Sequence, residues 1–141
     1  MGFRVAIEGA ETINLSIESI ENVKLKTDTP KDSNARSKDV GSTMIISGKI
    51  LTALDGDVFD STRQLGVWSL VPAEKADCYR KLTVEVLSAD QIIRKITFPN
   101  AFVVDYKEHF GDTEGIGTFE IVVRQKKDKL DKVTIEGGYS A

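Results

Sequence analysis

Residues 92–126 read IIRKITFPNAFVVDYKEHFGDTEGIGTFEIVVRQK. Two strands are expected here, over 92–98 and 117–125, with a short extended run over 101–106 between them. Along the second strand Phe119, Ile121 and Val123 fall on one face, and Thr118, Glu120 and Arg124 on the other. A period of two marks a sheet with one buried and one wet face. Proline has no N–H to give a ladder, so Pro99-Asn100 is expected to part the first strand from the run that follows.

The same alternation recurs on both sides of this stretch. Phe3, Val5 and Ile7 alternate with Arg4, Ala6 and Glu8; after Gly9-Ala10, Ile13, Leu15 and Ile17 alternate with Thr12, Asn14 and Ser16. This spacing predicts a hairpin. A third run, 20–27, sets Val23 and Leu25 against Asn22, Lys24 and Lys26, and a long strand over 42–54 points Met44 and Ile46 inward, with Gly48 marking a bulge. Between them 28–41, DTPKDSNARSKDVG, breaks every pattern and is read as a long solvated loop. Asp55-Gly56-Asp57 is a turn. Ser61 and Gln64 make a capping box that opens one short helix, whose face is Leu65, Trp68 and Val71; Pro72 stops it. A strand over 78–87 sets Leu82, Val84 and Val86 against Lys81, Thr83 and Glu85, then turns through 88–91 into 92–98. After the charged run 126–129, residues 133–136 read as one more short strand. Seven to nine strands and one helix predict a mostly β, single-domain antiparallel barrel or sandwich spanning 1–141.

Composition narrows the function classes. Nineteen cationic residues against 22 acidic ones, interspersed, give a net charge of −3, which argues against nucleic-acid recognition. The basic groups Lys24, Lys26, Lys31, Arg36 and Lys38, and those of 124–132, are interleaved with aspartates and lack aromatics for stacking. With one cysteine no internal disulfide can form, so a reducing compartment is expected. No apolar run reaches signal-peptide length near the start, nor the ~18 residues of a membrane helix; the chain is expected to fold in the cytoplasm with no integral membrane segment. Ala6 stands where a myristoylation motif needs Ser or Thr, and the sequon Asn14-Leu15-Ser16 is read as chance.

Catalytic chemistry is sparse. His109 is the only histidine, so any Ser-His-Asp or Cys-His site must use it. Cys78, at a strand start, is read as a small core residue rather than a nucleophile. Glu108, His109, Asp112 and Glu114 are read as a surface turn, since no second histidine or cysteine spacing supports a metal. Asp55, Asp57 and Asp60 lack the EF-hand order, and Gly111, Gly115 and Gly117 lack a phosphate-cradle pattern. No enzyme, cofactor or metal is expected.

The order of elements resembles the tube proteins of contractile injection machines: the Hcp-like subunits of type VI secretion, particularly the TssD-like branch, and the related phage tail-tube proteins. The resemblance covers residues 3–126. It is carried by KITFPNAFVVDYKEHF at 95–110, where lysine, an apolar, a small polar and phenylalanine lead into an alanine–aromatic strand ending in acidic residues and Phe110. A Gly-rich turn and a closing strand over 118–124 follow. The resemblance implies a structural subunit in six-membered rings that stack into a hollow tube, each copy adding strands to one inner barrel. A shared barrel would enclose a channel that one subunit could not, and would bury edge strands between neighbours. Its partners would be further copies, with sheath, baseplate or cargo proteins, and it would leave the cell as part of an injection particle. The loop 28–41, with Lys31, Asp32, Asn34, Arg36, Lys38 and Asp39, becomes an arm to the adjacent subunit or ring. Lys81, Thr83, Glu85, Lys95, Glu120 and Arg124 become candidates for lining the lumen, without a choice among them. Residues 128–141 read as a C-terminal extension beyond the family pattern, which would cap an edge, contact the sheath or block ring formation. The competing reading is a stand-alone β-barrel binding module for a peptide, lipid or small ligand, which needs an internal apolar pocket.

Overall fold

A computed structural model describes residues 1–28, 41–50, 61–112 and 116–141 of the chain. The strands are β1 (Gly2–Glu8), β2 (Thr12–Leu15), β3 (Ile20–Asp28), β4 (Gly41–Ile50), β5 (Arg80–Ser88), β6 (Gln91–His109), β7 (Gly117–Gln125), β8 (Thr134–Glu136) and β9 (Tyr139–Ser140). Among the described residues one helix, α1, runs Ser61–Ser69, and 3-10 segments occupy Ala76–Cys78 and Lys127–Lys132. The sheet order is β2-β1-β5-β6-β7-β4-β3, with β8 and β9 paired to β6 off this path. Every pairing is antiparallel.

Alternation becomes burial as expected. Val5, Ile7, Ile13, Leu15, Leu82, Val84, Phe119, Ile121 and Val123 are all buried in one core cluster with Met44, Ile46 and Phe98. Because residues from β2 at one end of the sheet and β3 at the other share this cluster, the sheet curls around its own apolar face. The helix closes the curl. Leu65 and Trp68 are buried, Val71 packs beside them, and Gly66 leaves room for the Tyr106 ring, which a Cβ would meet at 3.3 Å. Leu70 and Val71 donate to carbonyls three residues back, so the last turn tightens before Pro72. Ser61, expected as the cap, is the first residue of α1; the residue before it lies outside the described residues, as do 51–54 and the turn Asp55-Gly56-Asp57.

Four expectations need correction. Pro99 does not end a strand: β6 runs unbroken from Gln91 to His109. Arg80 opposes Ala101 and Leu82 opposes Phe98, so the extra residue at Pro99-Asn100 is a bulge, where proline's missing donor costs no ladder bond. Ile17 does not join β2, which stops at Leu15; it is 49% exposed and lies over Gly2. Cys78 precedes β5, in the 3-10 turn. The bulge near Gly48 is carried by the partner strand, where Ile20 and Asn22 face Gly48 and Ser47. Gly48 is needed because the Ser19 carbonyl, which accepts from Lys49 N at 2.6 Å, occupies the space of a Cβ. The 88–91 hairpin forms as expected, with Ala89 (φ 51°) and Asp90 (φ 63°) in the left-handed region that a two-residue primed turn requires.

Candidate subunit interface

Ala101 pairs with Arg80 of β5 and with Gln125 of β7, so these two strands lie on opposite edges of β6. β5 follows β6 over 91–101 and β7 follows it over 101–109. The junction is pinned: Asn100 N donates to Gln125 Oε1 at 2.9 Å, and Lys126 N donates to Asn100 O at 2.9 Å. Past Ala101 the β5-side edge of β6 carries no described strand. At the far side of the same half, β3 likewise has no described strand beyond it. The segment β6(101–109)-β7-β4-β3 is therefore a four-stranded sheet with two long unextended edges. The other half, β2-β1-β5-β6(91–101), ends on the four-residue β2 on one side and on the β8–β9 tail on the other.

The outward faces of the two halves differ. On the four-stranded half the register aligns three rows: Lys26–Thr43–Arg124–Phe102, Lys24–Ile45–Val122–Asp105 and Asn22–Ser47–Glu120–Lys107. Arg124 Nε donates to Thr43 Oγ1 at 3.2 Å, and Lys107 Nζ lies 3.7 Å from Asp105. On the other half Arg4, Glu85, Lys95 and Glu136 form one row of alternating sign, with Arg4 Nε 3.4 Å from Glu85, and Lys81 Nζ lies 3.8 Å from Glu8. The lumen candidates are thus divided. Lys81, Thr83, Glu85 and Lys95 share one half, and Glu120 and Arg124 the other. Lys31, Asp32, Asn34, Arg36, Lys38 and Asp39 lie outside the described residues.

The chemistry-bearing groups are dispersed. Cys78 is buried beside Trp68, whose indole N–H donates to the Cys78 carbonyl at 2.9 Å; burial pushes its thiol up from its ordinary value, against the nearby Arg80 charge. Asp77 ties three elements: it accepts from Ala10 N at 3.0 Å and from Arg80 Nη2 at 2.6 Å. These bonds, the Ala10 amide first, hold its carboxyl below the usual range. Arg80 is buried, stacks 5.5 Å from the Trp68 ring, and fills the space that a Cβ at Gly9 would need. His109 lies at the end of β6 on an open depression with Glu21, Glu108 and Glu120, and Cys78 does not line it. Among the described residues no three His, Cys, Asp or Glu side chains gather to hold a metal, and no helix is long and apolar enough to cross a membrane. Glu114, Asp55, Asp57 and Asp60 lie outside the described residues.

No family model matches the sequence, and no curated protein does. Solved structures do match. A chain of the anti-feeding prophage baseplate, 6-fold symmetrised, superposes with a TM-score of 0.57 at 9% identity, over 96% of this chain and 93% of that one. Hcp1 from Flavobacterium johnsoniae gives 0.54 at 17% identity, over 98% and 99%. A chain of the sheath–tube complex of an extracellular contractile injection system gives 0.52 at 14%, over 97% and 89%. The fold of this chain is the Hcp-like tube fold.

Proposed function

We propose that the chain is a structural tube subunit that closes with further copies into a ring, cargo or sheath partners being secondary to that self-association. The observation that carries this reading is the pair of open edges on one four-stranded sheet. Successive strands alternate in direction, so four strands leave β3 and the second half of β6 antiparallel to each other. A head-to-tail neighbour then sets its β3 against this β6 in the favoured antiparallel sense. The other half counts five strands with the tail, and the same operation there would join strands in parallel.

In this ring the face bearing Glu120 and Arg124, with Lys24, Lys26 and Lys107, lines the lumen, while Lys81, Thr83, Glu85 and Lys95 face outward. Six copies would contribute four strands each, enough to enclose an aqueous channel. The loop 28–41 leaves from the end of this sheet, between Asp28 and Gly41, and is the arm for stacking rings. Against an internal ligand site stand the large side chains at the centre: Trp68, Phe98, Met44, Leu65, Leu82 and Ile121 belong to one core cluster and are each no more than 1% exposed.

The test is a pair of cysteines, Lys24→Cys with Lys107→Cys, and a short bismaleimide. Ladders of covalent multimers are expected, closing at one size, with neither single variant progressing beyond dimers. Only intramolecular product would refute the edge assignment. Deleting 31–38 should leave the fold and the ring intact and abolish stacking; loss of folding would show the loop to be part of the core.

A further inference from the structure

In the first half of β6, residues 91–97 read QIIRKIT, with three isoleucines among seven residues. Its β7-side edge is taken by the tail, with Thr134, Ile135 and Glu136 opposite Thr97, Ile96 and Lys95, and Tyr139 and Ser140 opposite Ile92 and Gln91. The tail fits this edge closely yet buries almost nothing. Residues 134–141 are all exposed, Ile135 at 57% and Tyr139 at 40%; Val133, just before them, is the tail residue that packs on the core. The fit is in the backbone. A Cβ on Gly137 would collide with the Ile93 carbonyl, and Gly138 holds φ +83°. Gly138 N donates to Ile92 O at 2.8 Å and Ala141 N to Asp90 O at 3.0 Å. Glu136 also completes the alternating row Arg4–Glu85–Lys95.

We propose that β8–β9 is an edge guard, a segment whose work is to occupy a strand-pairing surface that would otherwise accept the same edge of a second copy. A strand edge exposes unpaired N–H and C=O groups along its length, and an Ile-rich one is a template for association. Two copies with the tail released pair 91–97 against 91–97 about a two-fold axis, an isologous contact distinct from the head-to-tail edges above. The inference does not depend on ring formation, because it is read as a change relative to the full-length chain under identical conditions.

The experiment compares the full chain with a truncation after Val133 and with Gly137→Val, which dislodges the tail without shortening the chain. Circular dichroism reports the fold, amide hydrogen exchange reports the cover over 91–97, and light scattering reports mass. Both variants should retain native far-UV dichroism, exchange the amides of 91–97 at least tenfold faster, and at least double the particle mass. A synthetic peptide of residues 133–141 should return the mass to the full-length value. Unchanged mass with accelerated exchange would overturn the proposal, because an open edge would then attract no partner. Unaccelerated exchange in Gly137→Val, or unfolding of the truncated chain, would overturn it equally, the tail then being either not the cover or part of the core.

Discussion

From Gln91 to Thr97, β6 is flanked on both edges, by β5 on one side and the tail on the other. From Ala101 to His109 it is flanked by β7, and β5 has turned away at Arg80. The two halves belong to one strand and face one core, each with its own extra residue, Ile93 in the first and Val104 in the second. They differ, among the described residues, in whether the chain completes its own hydrogen-bond ladder. The completed half carries a neutral, alternating charge row on its outer face; the incomplete half heads a four-stranded sheet that ends in a second uncompleted strand, β3. Among the described residues, one edge is covered by a tail fitted through Gly137 and two longer edges carry no strand.

The largest effect should come from the junction of the halves. Phe98 is fully buried just before the bulge, and Phe98→Ala should cost about 3–5 kcal/mol in urea unfolding, lowering both halves together. Loss of one half alone, seen as two transitions, would break the picture of a shared core. Next is Gly48→Ala in the open half, where the new methyl meets the Ser19 carbonyl; a loss of about 1–3 kcal/mol is expected, since backbone must move to admit it. If it also shifts the assembly equilibrium, β3 is confirmed as part of the contact.

Asp77 sharpens the point at which β5 leaves β6. Its folded pKa lies below the unfolded value, so its contribution is present above about pH 4 and is lost as pH falls through the lowered folded value. Asp77→Asn should lower stability at pH 7 by about 1 kcal/mol, allowing for solvent screening, and should flatten the acid limb of a stability–pH profile. The smallest effect belongs to the closed half's outer row. Arg4 is half exposed, and Arg4→Ala should cost less than about 1 kcal/mol, with the difference vanishing in high salt.

Much of this was legible in the residues. Strict alternation in β1, β5 and β7 marked strands and their buried faces, because a half-buried strand leaves a period of two that little else imitates. The same alternation showed Lys81, Thr83, Glu85, Lys95, Glu120 and Arg124 to be outward. It could not divide them, since which half a strand joins is decided by pairings distant in sequence. Pro99 misled for a related reason: its missing N–H breaks a ladder only where a ladder bond is due, and the bulge at the change of partners removes that need. The tail's second strand left no signal. Two residues after Gly137-Gly138 carry no period, and backbone fit against Ile93 is invisible until the sheet exists.

The central claim is that one subunit leaves two edges for its neighbours. Light-scattering mass after size exclusion, at high and low protein concentration, tests it most directly. The account predicts a discrete closed particle near six times the 15.5 kDa of the chain, with stacked rings in negative stain at high concentration. A 15.5 kDa monomer at every concentration would contradict it.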